Sequence, residues 1–301
     1  MDVALVTGSE WPDLSQSDTI LQKALLARGI DAQPLIWNDP AVDWSCPLVS
    51  IIRSTWDSHL HRTAFLEWAQ HVSQGGILWN PLPLLQWNTH KGYLRDLEEH
   101  GIPTIPTKHC MQGSSVALAR LMQEQHWSEV VIKPAVSAEA YGTILIKEGM
   151  LDEGQFYLDH MVSLQDMLIQ PFLPTILSSG EQSLMFIDGE FTHAVVRPPI
   201  HAVSREAASD KSMQKQSGVS EERIIVPQEE EVRLGYRILE TLSSPTLYAR
   251  VDLVHDVNGK PCVMEVELVE PGLWLAWAPD AAERFADAIA REVLQARNKR
   301  A

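Results

Sequence analysis

A parallel-sheet α/β layer followed by α+β units that end in antiparallel hairpins is the architecture predicted by this sequence of 301 residues. Three observations carry that reading. The first 80 residues alternate short apolar runs with segments of helical periodicity, the pattern of strands joined by crossover helices. Two turn dipeptides, Asp188-Gly189 and Asn258-Gly259, each divide a pair of alternating runs, as in β-hairpins. Hydrophobic residues make up 45% of the chain, enough at this length for two or three domain cores.

In order, Val3 to Val6 reads as a strand, and Leu14 to Arg28 as a helix stopped by Gly29. Strands follow at Ala32 to Ile36 and Leu48 to Ile52. A helix from His59 to Ser73 carries Leu60, Ala64 and Trp68 on one stripe, and Ile77 to Trp79 is a short strand before the boundary Asn80-Pro81-Leu82-Pro83. These residues, 1–82, form the first expected domain. The second, 83–162, opens with a helix carrying Lys91, Tyr93, Leu94 and Leu97. It continues with extended Ile102 to Thr107, a helix over Ser115 to Gln125, and strands at Glu129 to Lys133 and Thr143 to Lys147. The third, 163–301, holds the hairpins Ser183–Ile187/Phe191–Arg197 and Leu247–His255/Pro261–Leu268, and closes on a helix from Ala281 to Gln295. Between these hairpins, 202–222 is polar and long for a connection, the composition of a lid or linker.

Charge narrows the function. Lys plus Arg number 24 against 40 Asp plus Glu, a formal net charge of −16 that repels nucleic acid and anionic membranes. No apolar run reaches the length of about 18 residues that suggests a bilayer span, and the start of the chain lacks the pattern of a signal peptide. Three widely spaced cysteines, Cys46, Cys110 and Cys262, suit a reducing compartment, so a cytoplasmic location is expected.

The second hairpin concentrates the chemistry. If Asn258-Gly259 is a two-residue turn, Asp252 faces Glu265 and Arg250 faces Glu267, and the period of two puts these four on one face. Three carboxylates so placed repel unless a cation sits among them, and oxygen donors at that density suit Mg²⁺ or Mn²⁺. The alternative is a solvated outer face with Arg250 as counter-ion.

An ordered series of motifs from Asn80 to Leu275 resembles the ATP-grasp ligases: Asn88-Thr89-His90-Lys91, Val131-Ile132-Lys133-Pro134, Ile169-Gln170-Pro171-Phe172-Leu173, Gly180-Glu181-Gln182, His193 to Arg197, Arg250-Val251-Asp252 and Met264-Glu265-Val266-Glu267. The resemblance is to the bacterial glutathione synthetase branch, and more closely to the cyclo-ligases that close the D-cycloserine ring; Arg53-Ser54-Thr55-Trp56-Asp57 is similar to the acceptor-side segment of that group. It implies an ATP-grasp fold behind an N-terminal pre-ATP-grasp parallel-sheet domain, with ATP and two Mg²⁺ ions, Mn²⁺ being an acceptable substitute.

By the same resemblance, Lys91 and Lys133 approach the phosphates as point charges. Gln170, Phe172 and Leu173 lie at the adenine hinge, and Asp252, Glu265 and Glu267 hold the metal. Arg197 and Arg250 stabilise the transferred phosphoryl group. Glu181 is a supporting residue, because a simple Asp188-Gly189 register pairs it with Val196 and turns it away from Arg197 unless a bulge intervenes. Arg53, with Ser54 and Asp57, would hold the substrate carboxylate as a planar fork; helix capping and a salt bridge are the competing role for Arg53 and Asp57. The lid after Lys133 departs from the family, since 135–142 holds a single glycine.

The implied activity is carboxylate–amine ligation through an acylphosphate on a small amino-acid-like substrate, with a homodimer implied by the relatives. An intramolecular cyclo-ligase acting on an O-ureido-serine-like amino acid, an intermolecular ligase, and a nucleotide sensor without ligase activity are the three versions to separate.

Overall fold

The computed structural model describes residues 1–198 and 222–300. The expected lid over 202–222 lies outside the described residues except for Glu222.

Every residue of the first and third strands is buried, so the sheet they form needs cover on both sides. Strands β1 (Val3–Thr7), β2 (Ala32–Ile36), β3 (Val49–Ser54) and β4 (Ile77–Trp79) pair in parallel in the order β2-β1-β3-β4. Helix α1 (Gln16–Ala27) starts at Ser15, whose hydroxyl accepts from the Asp18 N–H, and ends before Gly29 at φ +71°. It buries Leu21 and Leu25 against the sheet and against the last helix, α9 (Pro279–Arg300), which contributes Phe285, Ile289 and Val293 to the same core. The other face is covered by α2 (Arg62–Gly75). Its buried stripe is Phe65, Trp68, Ala69 and Val72, whereas the expected stripe members Leu60 and Ala64 are exposed. The shift arises because Ser58–His61 forms a 3-10 turn, which changes the phase before the α-helix starts at Arg62.

Two short helices follow, α3 (Leu82–Asn88) and α4 (Tyr93–Glu99), so Lys91 sits in the turn between them and not on a helix. The second sheet comprises β5 (Lys108–Cys110), β6 (Val130–Pro134), β7 (Ile144–Ile146) and β8 (Met167–Pro171), antiparallel in the order β5-β8-β6-β7. It packs on α5 (Leu118–Gln125) and α6 (Leu151–Leu164), the latter unassigned in the sequence reading. By sheet membership this layer runs to Pro171, past the boundary expected at 162–163.

The third sheet is antiparallel, in the order β11-β10-β9-β12-β13: β9 (Glu181–Ile187), β10 (Glu190–Arg197), β11 (Arg223–Ile225), β12 (Tyr248–His255) and β13 (Pro261–Glu267). A four-residue helix, α7 (Ile176–Ser179), precedes β9, and α8 (Glu229–Thr241), also unassigned from sequence, lies on the sheet. Gly235 of α8 permits that contact: a Cβ there would stand 2.4 Å from Phe186 Cζ.

Both hairpins reach their working registers through a bulge. In β9–β10 the two-residue turn pairs Glu190 with Ile187, then a shift between Phe191 and His193 brings Arg197 opposite Glu181, correcting the simple register that separated them. In β12–β13 the turn holds three residues, with Asp256 N–H donating to Lys260 O, and His255 pairs with Pro261. A second shift, between Asp252 and Leu253, restores the pairs Asp252–Glu265 and Arg250–Glu267. It also lets Val263 enter the core while Met264 lines the acidic side.

Candidate active site

The second and third sheets, with the segment that follows β3, enclose a cavity of about 1060 Å³, large enough for a nucleotide with a small partner. Its walls include Lys91, Lys133, Gln170, Phe172, Leu173, Glu181, Arg197, Arg250, Glu265 and Glu267. Asp252 lies just behind the wall, fully buried. Ten of the sequence-selected positions therefore converge.

Cations and carboxylates alternate across the sheet face. Arg250 clamps Asp252 through Nε at 2.9 Å and Nη2 at 2.8 Å, and also pairs with Glu267. Arg197 pairs with Glu181 and reaches Asp252 at 3.3 Å, while Ser183 donates to Asp252 at 2.7 Å. Both guanidiniums lie near the Trp274 ring, 5.7 Å for Arg197 and 5.6 Å for Arg250, and Trp274 Nε1 donates to Glu222 at 2.8 Å. Lys91 Nζ bridges Glu265 at 2.9 Å and the Ser137 carbonyl at 2.6 Å, tying the hairpin to the segment after β6. Besides its single glycine, Gly142, that segment holds Glu139 and Ala140 at positive φ.

Burial tunes these groups. Burial pushes the Glu267 carboxyl up to about 7, against the pull of Arg250 and with Asp252 and Glu265 adding to the rise. Glu181 is likewise pushed up to about 7 by burial, Arg197 opposing and Asp252 assisting. For Asp252 burial also opposes ionisation, but Arg250 and Arg197 outweigh it and hold the carboxyl below its usual range. Lys133, at the end of β6, is brought down to about 8 by burial, with Glu265 opposing and Lys91 assisting.

At the positions expected to border adenine, Phe172 N–H donates to Glu129 O at 2.9 Å, and the Gln170 side chain is turned to Thr107 Oγ1 at 2.8 Å. Leu173 lines the wall beside Ile176 and Leu177.

The expected carboxylate fork fails on geometry. Arg53 is 1% exposed; its Nε donates to Asp18 at 2.8 Å, its Nη2 to the Pro271 carbonyl at 2.8 Å, and its guanidinium stacks 5.0 Å from the Tyr248 centroid. Ser54 donates to Asp18, and Asp57 accepts from Trp37 Nε1 at 3.0 Å. None of the three lines the cavity. The competing role holds for Arg53, with Asp18 as its salt-bridge partner rather than Asp57. The first domain reaches the cavity instead through Trp56, Ser58, His59 and Arg62, and Glu270 lies beside them. Trp56 lies inside the segment quoted for the acceptor side, although no role was given to it; Ser58, His59, Arg62 and Glu270 were missed because they fall outside both the hairpin alternation and the strand ends.

A divalent cation fits the donor chemistry. Asp252, Glu265 and Glu267 offer oxygen only, on one face, with burial and the neighbouring carboxylates disposing Glu267 to hold a proton. Among the described residues no three such side chains already gather around one point; each carboxylate is held by Arg250, Arg197 or Lys91.

Comparison with known proteins agrees with the fold. Residues 3–80 match the family model of the D-cycloserine synthetase DcsG N-terminal domain. The chain is 28% identical over 302 residues to the cycloserine biosynthesis protein DcsG of Streptomyces lavendulae, covering 97% of this chain and 98% of that protein. A crystal structure of D-cycloserine synthetase DcsG superposes with a TM-score of 0.86 at 27% identity, over 97% of this chain and 100% of that one. D-alanine–D-alanine ligase from Bacillus anthracis shares the fold with a TM-score of 0.68 at 16% identity, over 100% of both chains. No helix among the described residues is long and apolar enough to cross a membrane. The chain has the fold of the ATP-grasp ligases and is a homologue of D-cycloserine synthetase along 97% of its length, a likeness that supports a ligase forming C–N bonds.

Proposed function

We propose that this ligase activates the carboxylate of a small amino-acid-like substrate as an acylphosphate and closes it intramolecularly, the oxygen-linked nitrogen of an O-ureido-serine-like molecule displacing phosphate and its carbamoyl group being lost to water as carbamate, to give a cycloserine-type ring. The observation that carries this reading is the likeness to D-cycloserine synthetase over both the catalytic sheets and the first domain, whose Trp56, Ser58, His59 and Arg62 form one end of the cavity.

The chain's contribution is position and charge. Lys91 and Lys133 hold the nucleotide phosphates, and Gln170, Phe172 and Leu173 border the adenine. Arg197 and Arg250, fixed by Glu181 and by the Trp274 ring, meet the negative charge that develops on the transferred phosphoryl oxygens. Asp252, Glu265 and Glu267 would hold two Mg²⁺ ions, with Mn²⁺ as a substitute, and the bound metal would screen the triphosphate. No side chain is needed as a covalent nucleophile. In domain terms, 1–82 is the acceptor side and the two later sheets enclose the nucleotide.

A coupled ADP-release screen over amino acids, including O-ureido-serine, with mass spectrometry of the products, tests this. A cyclised product with one ADP per ring supports the proposal. Release that requires a separate amine would assign an intermolecular ligase, and ATP binding without acceptor-dependent release would overturn the ligation scheme.

A further inference from the structure

Four of the five carboxylates along the hairpin face and the segment leaving it are neutralised by the chain itself. Glu181 is held by Arg197, Asp252 by Arg250 and Arg197, Glu265 by Lys91 and Glu267 by Arg250. The fifth, Glu270, has no ion pair among the described residues. It lines the cavity three residues beyond β13, where the first domain closes that end. Its Oε1 accepts from Ser58 Oγ at 3.1 Å, and its Oε2 is buried with no hydrogen-bond partner among the described residues. A buried carboxylate oxygen left in that state is costly, yet the backbone holds it there from two sides. Trp56 Nε1 donates to the Glu270 carbonyl at 3.0 Å, and Arg53 to the Pro271 carbonyl at 2.8 Å. The chain cation whose charge reaches Glu270, Lys91, is already bound to Glu265 and to the Ser137 carbonyl.

We propose that Glu270, oriented by Ser58, is the anchor for the ammonium group of the substrate, so that the site selects a carboxylic acid carrying a primary amine over one that lacks it. The assignment rests on the amino-acid reading of the substrate given above. An ammonium supplies three N–H donors; one satisfies Oε2, and the resulting charge-assisted bond orients the molecule at the first-domain end of the cavity. Burial, reinforced by Glu267, pushes the Glu270 carboxyl up to about 8, with Ser58 and Lys91 opposing. Loss of a site's buried polar contact discriminates strongly against an analogue that cannot make it.

Steady-state ADP release tests the anchor with O-ureido-serine and with its desamino analogue, for the wild type, Glu270→Gln and Ser58→Ala. Glu270→Gln keeps the shape and should fold. The expected result is a KM for the amino acid raised roughly tenfold or more, with the KM for ATP and the Mg²⁺ requirement unchanged. Ser58→Ala should give a smaller rise, and Glu270→Gln should leave the already poor use of the desamino analogue unaltered. Equal losses with both acids, a raised Mg²⁺ requirement, or wild-type turnover of the desamino acid as good as that of the amino acid would each overturn the anchor while leaving the ligase reading standing. Absence of ADP release with every acid would overturn the ligase reading and the anchor together.

Discussion

Arg53 Nη2 donates to the carbonyl of Pro271 at 2.8 Å, joining the end of β3 to the chain segment that leaves β13. Its Nε holds Asp18 at the start of α1, and its plane lies against Tyr248 and, at 5.8 Å, Phe285. One buried guanidinium therefore binds the first sheet, its helix and the third sheet. Arg53→Met should lower unfolding free energy by about 3 kcal/mol or more, since it leaves the Asp18 charge buried without its cation. Denaturant unfolding measures this; an unchanged midpoint and slope would show that the pair contributes nothing.

Glu265 should separate chemistry from stability. Its carboxylate is a quarter exposed, and its partner Lys91, though buried, also holds the Ser137 carbonyl and keeps that bond when Glu265 is neutralised. Glu265→Gln should therefore melt within a few degrees of the wild type while ADP release falls at least tenfold, the scale of losing a metal-site contact. Near-normal turnover at saturating Mg²⁺ would remove Glu265 from the metal set.

Gly180 controls the approach of Arg197. At φ +72°, a Cβ there would stand 2.4 Å from the Arg197 carbonyl oxygen. Gly180→Ala should cost about 1–3 kcal/mol and depress turnover by displacing the Arg197–Glu181 pair. Gly189→Ala in the hairpin turn, also at positive φ but with open space around it, should cost about 1–2 kcal/mol and leave turnover intact. Thermal melts paired with ADP release compare the two.

Lys133 sets a pH signature. Burial lowers its ammonium to about 8, while the unfolded chain keeps that proton to about 10.4. Between these values the unfolded state binds more protons, so Lys133's contribution to stability rises with pH across that window. ATP affinity should move the other way, weakening above about pH 8 as the positive charge is lost. Titrations of ATP at several pH values should show this decline in the wild type and a flatter profile in Lys133→Arg. Equal slopes would assign the decline elsewhere.

Most of the fold was legible because it depends on patterns that sequence displays directly: alternation in β12 and β13, periodicity in α1, turn dipeptides between strands. The pairing of Asp252 with Glu265 was read correctly although its premise was not, since a three-residue turn and a bulge offset each other. The same kind of bulge, at Thr192, hid the pairing of Arg197 with Glu181, because an extra residue in one strand leaves no mark in hydrophobic alternation. Helices α6 and α8 escaped because their apolar faces are diluted, by Gly154 packed on Ile146 in one and by the acidic first turn Glu229 to Glu231 in the other. Arg53 was misassigned because a cation at a strand end looks alike whether it faces a ligand or a buried acid 35 residues away. Glu270 stood outside every pattern; only the closing of the first domain over the hairpin gives it a role.

Transfer of oxygen-18 from a labelled substrate carboxylate to inorganic phosphate tests the ligation scheme most directly. With O-ureido-serine labelled in its carboxyl oxygens, one labelled oxygen should appear in each phosphate released with ADP, because the carboxylate oxygen that attacks the γ-phosphorus leaves with phosphate when the ring nitrogen displaces it. Phosphate released without label, in the presence of cyclised product, would contradict carboxylate activation by phosphoryl transfer.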